Sequence, residues 1–210
     1  MTLNFEIIIE RMNIMNKKRK DNSMVKSAVI GNLGHILLSF ITSILMSLVE
    51  NFQSLSFYDG LKNIILFFIF AITLIFWSYI GVISTKHDKD NIYRTGTITA
   101  IISILPAAFF AILSNVFSIS LGAVDRLTAW NAFYVFGGPT LFWHRPFSFI
   151  SQLVVGSGLV VNGYFIYFID FLLVGLGVFI GSVFFGKSRH GKMVSRETLD
   201  NEKEEDLSSI

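Results

Sequence analysis

Cysteine is absent from the 210-residue chain, which excludes a disulfide framework, a thiol nucleophile and any metal site built on thiolates. Charge is scarce as well: 15% of residues are Asp, Glu, Lys or Arg, against roughly 25% in an average soluble domain. There is no Walker A loop, GxSxG, HExxH, His/Cys cluster or dinucleotide fingerprint, so no catalytic residue, metal or cofactor is assigned and the chain is not read as an enzyme. No internal repeat is evident, which leaves an inverted-repeat transporter without support. A cleavable signal peptide is not expected either, because the first apolar run is too long for a signal core and no small-x-small site follows it.

What the chain has instead is apolar length. It is 52% hydrophobic, with a mean hydropathy of +0.60, and its apolar residues come in runs separated by short charged patches. Crossing ~30 Å of hydrocarbon takes about 20 residues of helix. The expected fold is therefore all-α: a multi-pass membrane protein, with four transmembrane helices in a bundle and an outer interfacial or re-entrant segment. The spans are expected at about 28–49, 61–84, 97–121 and 160–186 within a transmembrane domain covering 28–186, with an outer loop at 122–157. A basic arm (1–27) precedes them, and an acidic tail (187–210) without an apolar face reads as disordered. Met15 opens a Met-Asn-Lys-Lys-Arg-Lys stretch that reads as a basic leader and competes with Met1 as the native start.

Lys and Arg number fourteen over the arm, the 85–96 loop and the tail, against three over 50–62 and 122–157. The positive-inside rule then predicts a plasma-membrane protein with both termini cytoplasmic. A fifth span over 127–143 would put the basic cluster after the last helix outside, and Gly137-Gly138-Pro139 interrupts that stretch. Four spans are therefore favoured, and whether 127–143 is interfacial, re-entrant or spanning stays open at this level. The bias towards Ile, Phe, Asn and Lys suits a bacterial origin.

The first span carries a stripe of Asn32, His35, Ser39, Ser43 and Glu50, repeating at helical intervals along one face. Such a stripe must face protein or water, and its expected role is to mark the side buried in the bundle. The second span, rich in Ile and Phe, reads as largely lipid-facing, with Trp77 and Tyr79 in an aromatic belt. On the third, Ala100, Ser103, Ala107, Ala111, Ser114 and Ser118 form a small-residue face suited to close helix packing, and Pro106 predicts a kink.

Asp170 is the one carboxylate well inside a span, where a charge costs ~2.5–3.5 kcal/mol on insertion scales. Gly156, Gly163, Asp170 and Gly177 recur every seventh residue, and Gly177 to Gly181 is a GxxxG, so Asp170 is expected to face neighbouring helices. His35 is about seven residues, ~10 Å, from the cytoplasmic end of its span, and Asp170 about sixteen, ~24 Å, from the end of its own. A direct His35–Asp170 relay is therefore not expected, and the two would couple only through water. Glu50, nearer Asp170 in depth, is a second candidate partner. Trp143, His144 and Arg145 are expected as outer-loop contacts to headgroups, cell wall or a partner protein.

These features lead to two expectations for function. The first is an accessory, sensory or immunity-type component acting through helix–helix association, with the lipid bilayer, other membrane proteins or a second copy as partners and no nucleic acid. The alternative is a small transporter or channel subunit using the polar residues Asn32, His35, Glu50 and Asp170.

Overall fold

The computed structural model describes residues 2–86, 91–121, 137–158 and 163–185, with side chains given from residue 22 onward apart from 117–121, 155 and 185. These residues are 91% helical and contain no strand. Helix α1 spans Thr2–Glu50, α2 Tyr58–Ser84 and α3 Ile92–Leu121. Then come the short α4 (Gly138–His144), a 3-10 turn (Arg145–Phe147), α5 (Ser148–Gly156), α6 (Gly163–Ile180) and a closing π turn (Gly181–Phe185).

Four helical stretches are long and apolar enough to cross a membrane: Asn22–Glu50, Tyr58–Ser84, Ile92–Val116 and Gly163–Phe184. Each of the four expected runs falls on one of them. The boundary expected at residue 27 is not a helix boundary, because α1 runs unbroken from Thr2 and no Gly or Pro precedes Gly31 to interrupt it. The 187–210 tail and the 122–136 half of the expected outer loop lie outside the described residues.

The long helices form a ring in the order α1, α2, α6, α3. Across it, between α1 and α6, runs the segment from α4 to α5: α4 meets α1 and α3, the 3-10 turn meets α1 and α2, and α5 lies along α2. Pro139 sits in the first turn of α4, where its missing N–H costs nothing, and Pro146 bends the chain at the 3-10 turn. Both Trp143 and Phe147 on this segment are buried in the apolar core with Trp77, Ile80, Val174 and Val178.

Helix α2 has a packed face beside a wider exposed one, and it corrects the placing of Trp77 in an aromatic belt. Leu66, Ile69, Thr73, Trp77, Ile80, Gly81 and Ser84 line one buried face, while Ile64, Phe67, Phe68, Ile72, Ile75 and Tyr79 are exposed. A helix apolar all round has no hydrophobic stripe to show which side packs, and Trp77 belongs to the core. On α3, Ala100, Ser103, Ala107 and Ala111 are buried, and the helix continues through Pro106 on its exposed side.

Where α2 meets α6 the two backbones touch. A Cβ on Gly81 would collide with the Val178 carbonyl, and one on Gly181 with the Ser78 carbonyl. The single Ser182 Oγ–H is shared between Gly81 O across this contact at 3.1 Å and Val178 O one turn back at 2.8 Å. Because both carbonyls also belong to helices, Ser182→Ala is expected to lower stability by only about 0.5–1.5 kcal/mol, read as a small drop in thermal midpoint in detergent.

Candidate functional site

The polar stripe of α1 leads into the interior. His35, Ser39 and Thr42 are buried, Asn32 and Ser43 half-buried and Glu50 exposed. Ser39, Thr42 and Ser43 each donate to the carbonyl four residues back, satisfying their hydroxyls within the helix. Asn32 Nδ2 donates to Ala28 O and, across to α3, to Ser103 O, both at 3.0 Å.

His35 is wholly enclosed. Its ring lies 4.5 Å from that of Trp143 and 5.6 Å from those of Trp77 and Phe147. Trp77 Nε1–H donates to His35 Nδ1 at 3.2 Å, and His35 Nε2 lies 2.8 Å from the Trp143 carbonyl oxygen. An indole can only donate and a carbonyl can only accept. The two contacts therefore assign His35 as the Nε2–H tautomer, which ties α1 and α2 to the last turn of α4.

The next residue carries the second half of the site. His144 Nδ1 lies 2.7 Å from Asp170 Oδ2. The imidazole stacks on Tyr167 at 4.0 Å with planes 13° apart, and the Trp143 and Phe171 rings close it off at 4.9 and 5.1 Å. Burial pushes the His144 imidazole from its ordinary 6.5 down to about 3, with nearby His35 acting in the same direction. One proton sits between Nδ1 and Oδ2 whichever atom holds it. Among the described residues the far atoms of the pair, His144 Nε2 and Asp170 Oδ1, are buried without a hydrogen-bond partner, as are Trp143 Nε1, Ser103 Oγ and Thr99 Oγ1. Unpaired buried polar groups cost free energy, and in native proteins they are uncommon.

Several site expectations need correcting. Trp143 and His144 do not face outward: both are about 6% exposed, while Arg145 is exposed. Aromatic and basic residues after Gly-Gly-Pro look the same in an interfacial helix and in one folded into a bundle, so composition could not separate the two. Among the described residues His35 and Asp170 make no direct hydrogen bond, as the depth count implied, but protein and not only water lies between them. Gly177 faces Trp77, the ring bonded to His35, and Asp170 is seven residues, about 10 Å, along the same helix. That count placed the start of α1 at 28 and left the 138–156 segment outside. In the fold, the Trp143–His144 dipeptide touches both residues. Among the described residues Glu50 has no hydrogen bond or ion pair to Asp170.

The expected packing residues divide. Gly177 and Gly181 press on α2 of the same chain, whereas Gly163 faces open space. Ser103, Ala107 and Ala111 are buried on α3. Sequence reasoning missed Trp77 as the donor to His35 and Tyr167 as the stacking partner of His144. One signal did point to His144: an intramembrane carboxylate needs a partner, and His87 and His190, unlike His144, lie in polar surroundings.

Among the described residues no group of three or more His, Cys, Asp or Glu is placed to hold a metal. A cleft of about 410 Å³ lies at the far end of α2, lined by Asp59, Lys62, Asn63, Ser151, Gln152 and Gly156. Edge-on and tilted ring contacts run from Phe67 through Phe149, Phe70 and Phe147 to His35. Compared with known protein families, curated proteins and solved structures, the chain matches none.

Proposed function

We propose that the protein is a small transporter or channel subunit whose working groups are His144 and Asp170. The observation that carries this reading is the buried pair at 2.7 Å with Nε2 and Oδ1 left unpaired. A carboxylate held deep in an apolar bundle is costly, and each buried polar atom of the pair left without a partner adds to that cost.

The four helices cross a bacterial plasma membrane with both termini cytoplasmic. The support is the distribution of fourteen basic residues on one side and three on the other. In that orientation the segment Gly138–Gly156 re-enters the bundle from the outer side, where irregular backbone is tolerated because protein surrounds it. Association with a partner has less support, since the GxxxG face that motivated it is taken up by α2 within the chain.

In proteoliposomes under imposed ion gradients the wild-type chain is expected to conduct a flux that Asp170→Asn lowers about tenfold or more. A variant flux equal to wild type would overturn the assignment of the site, and no flux under any gradient would return the chain to the association reading.

A further inference from the structure

Resting on the transport reading, we infer that the species carried is the proton, and that His144 passes it between Nε2 and Nδ1 by exchanging tautomers while Asp170 accepts or releases it at Oδ2. In the loading step a proton bonds to Nε2, the Nδ1–H bond breaks, and that proton bonds to Oδ2. The pair gains one proton and goes from a carboxylate beside a neutral imidazole to a carboxylic acid beside a neutral imidazole. Unloading towards the loading side is the reverse. Unloading on the far side needs the carboxyl group to turn so that its O–H points the Oδ1 way and loses the proton there, leaving a carboxylate. It is completed when the imidazole, left with its proton on Nε2, reorients to present an N–H to the carboxylate again.

Three observations support this. First, Nε2 and Oδ1, the two atoms at which a proton would arrive or leave, are those without partners, while the atoms between them are bonded at 2.7 Å. Second, the donor set suits a proton and not a metal: one carboxylate and one imidazole, against the six or so oxygen ligands that hard cations such as Ca²⁺ and Mg²⁺ take, with no larger His or carboxylate group among the described residues. Third, burial disfavours an imidazolium at His144, so a transfer that keeps the ring neutral throughout is the low-cost course.

The groups facing the pair are few. Helix α6 supplies Tyr167, with Tyr164 beside it. Helix α1 supplies His35, whose two nitrogens are engaged by Trp77 and the Trp143 carbonyl, and which is therefore a positioning residue. Helix α3 packs on α6 with Ile104 against Gly175 and Gly96 against Ser182, so its described buried residues nearest the level of Asp170 are Ala107 and Ala111, which carry no charge. Helix α2 carries no charged group beyond Lys62 in its second turn.

The test uses the purified full chain in proteoliposomes with a pH-sensitive dye inside, a potassium diffusion potential set by valinomycin, and parallel tracer measurements of sodium and rubidium. Wild type is expected to change the internal pH without moving either tracer. His144→Gln, an amide that cannot exchange tautomers, is expected to lower the proton flux about tenfold or more. Asp170→Asn should match it, and the double variant should be no worse than either. If a variant fails to fold, infrared spectra of the wild type decide: a carboxylic-acid band that titrates with the flux is expected, and its absence overturns the relay. Sodium or rubidium flux without proton movement overturns the relay but leaves the transport reading standing. Proton flux undiminished in His144→Gln does the same. No flux of any ion overturns both.

Discussion

Gly181→Ala is expected to be the most damaging single-methyl change in the protein, costing about 3 kcal/mol, the upper end of the usual range for overpacking. The added Cβ would strike the Ser78 carbonyl, with the Ser78 carbonyl carbon only 2.6 Å away. The obstacle is backbone inside a helix, not the movable end of a side chain, so relief requires α2 and α6 to separate. Separation would also break the Ser182 hydrogen bond to Gly81 and loosen Trp77 and Val178. Gly60→Ala is the matched control. Nothing lies within 4 Å of its Cβ position, it sits in the first turn of α2, and Ala there is expected to raise stability by about 0.5–1 kcal/mol. Thermal unfolding in one detergent, followed by tryptophan fluorescence, compares the two. If Gly181→Ala melts within a degree or two of wild type, the close approach of the two backbones is wrong.

The second large effect is expected at His35. His35→Ala leaves a cavity at a wholly buried position and strips a partner from both the Trp77 N–H and the Trp143 carbonyl. Large-to-small changes in cores cost about 2–5 kcal/mol, and each stranded polar group adds roughly 1–3 kcal/mol where no rearrangement rescues it. A total on the order of 4 kcal/mol is expected. His35→Gln, with an amide oxygen for the indole and an amide N–H for the carbonyl, should recover part of it. A double-mutant cycle with Trp77→Phe isolates the hydrogen bond: removing the indole should cost about 1 kcal/mol less once His35 is gone. Additive costs would mean that the two side chains are neighbours without being bonded.

Four membrane-length helices were legible in the sequence because apolar length is a property of composition within a run. So was the need to shelter Asp170, since a lone carboxylate in such a run has few tolerable surroundings. The inward side of α1 could be read from Asn32, His35 and Ser39, whose spacing marks one face whatever they contact. The packed face of α2 could not, because Leu66, Trp77 and Ile80 differ little in polarity from the exposed Phe67, Ile72 and Ile75 around the same helix. The hardest feature was the 138–156 segment. Trp143, His144 and Phe147 have the character of interface residues, and only their contacts with His35 and Asp170, distant in sequence, show that they belong inside.

The segment between α1 and α6 has a consequence for how the molecule is made. Neither α4 nor α5 is long enough to be threaded through a bilayer as a helix of its own, so on the membrane topology proposed above the segment would join the bundle once the helices around it are in place. Membrane helices insert first and associate afterwards, and here the late event is the docking of a loop. Trp143 reaching His35 and His144 reaching Asp170 are the same event, because the two residues are adjacent in the chain. On the same proposal, a newly made copy with all four helices inserted has no His144–Asp170 pair until this segment seats.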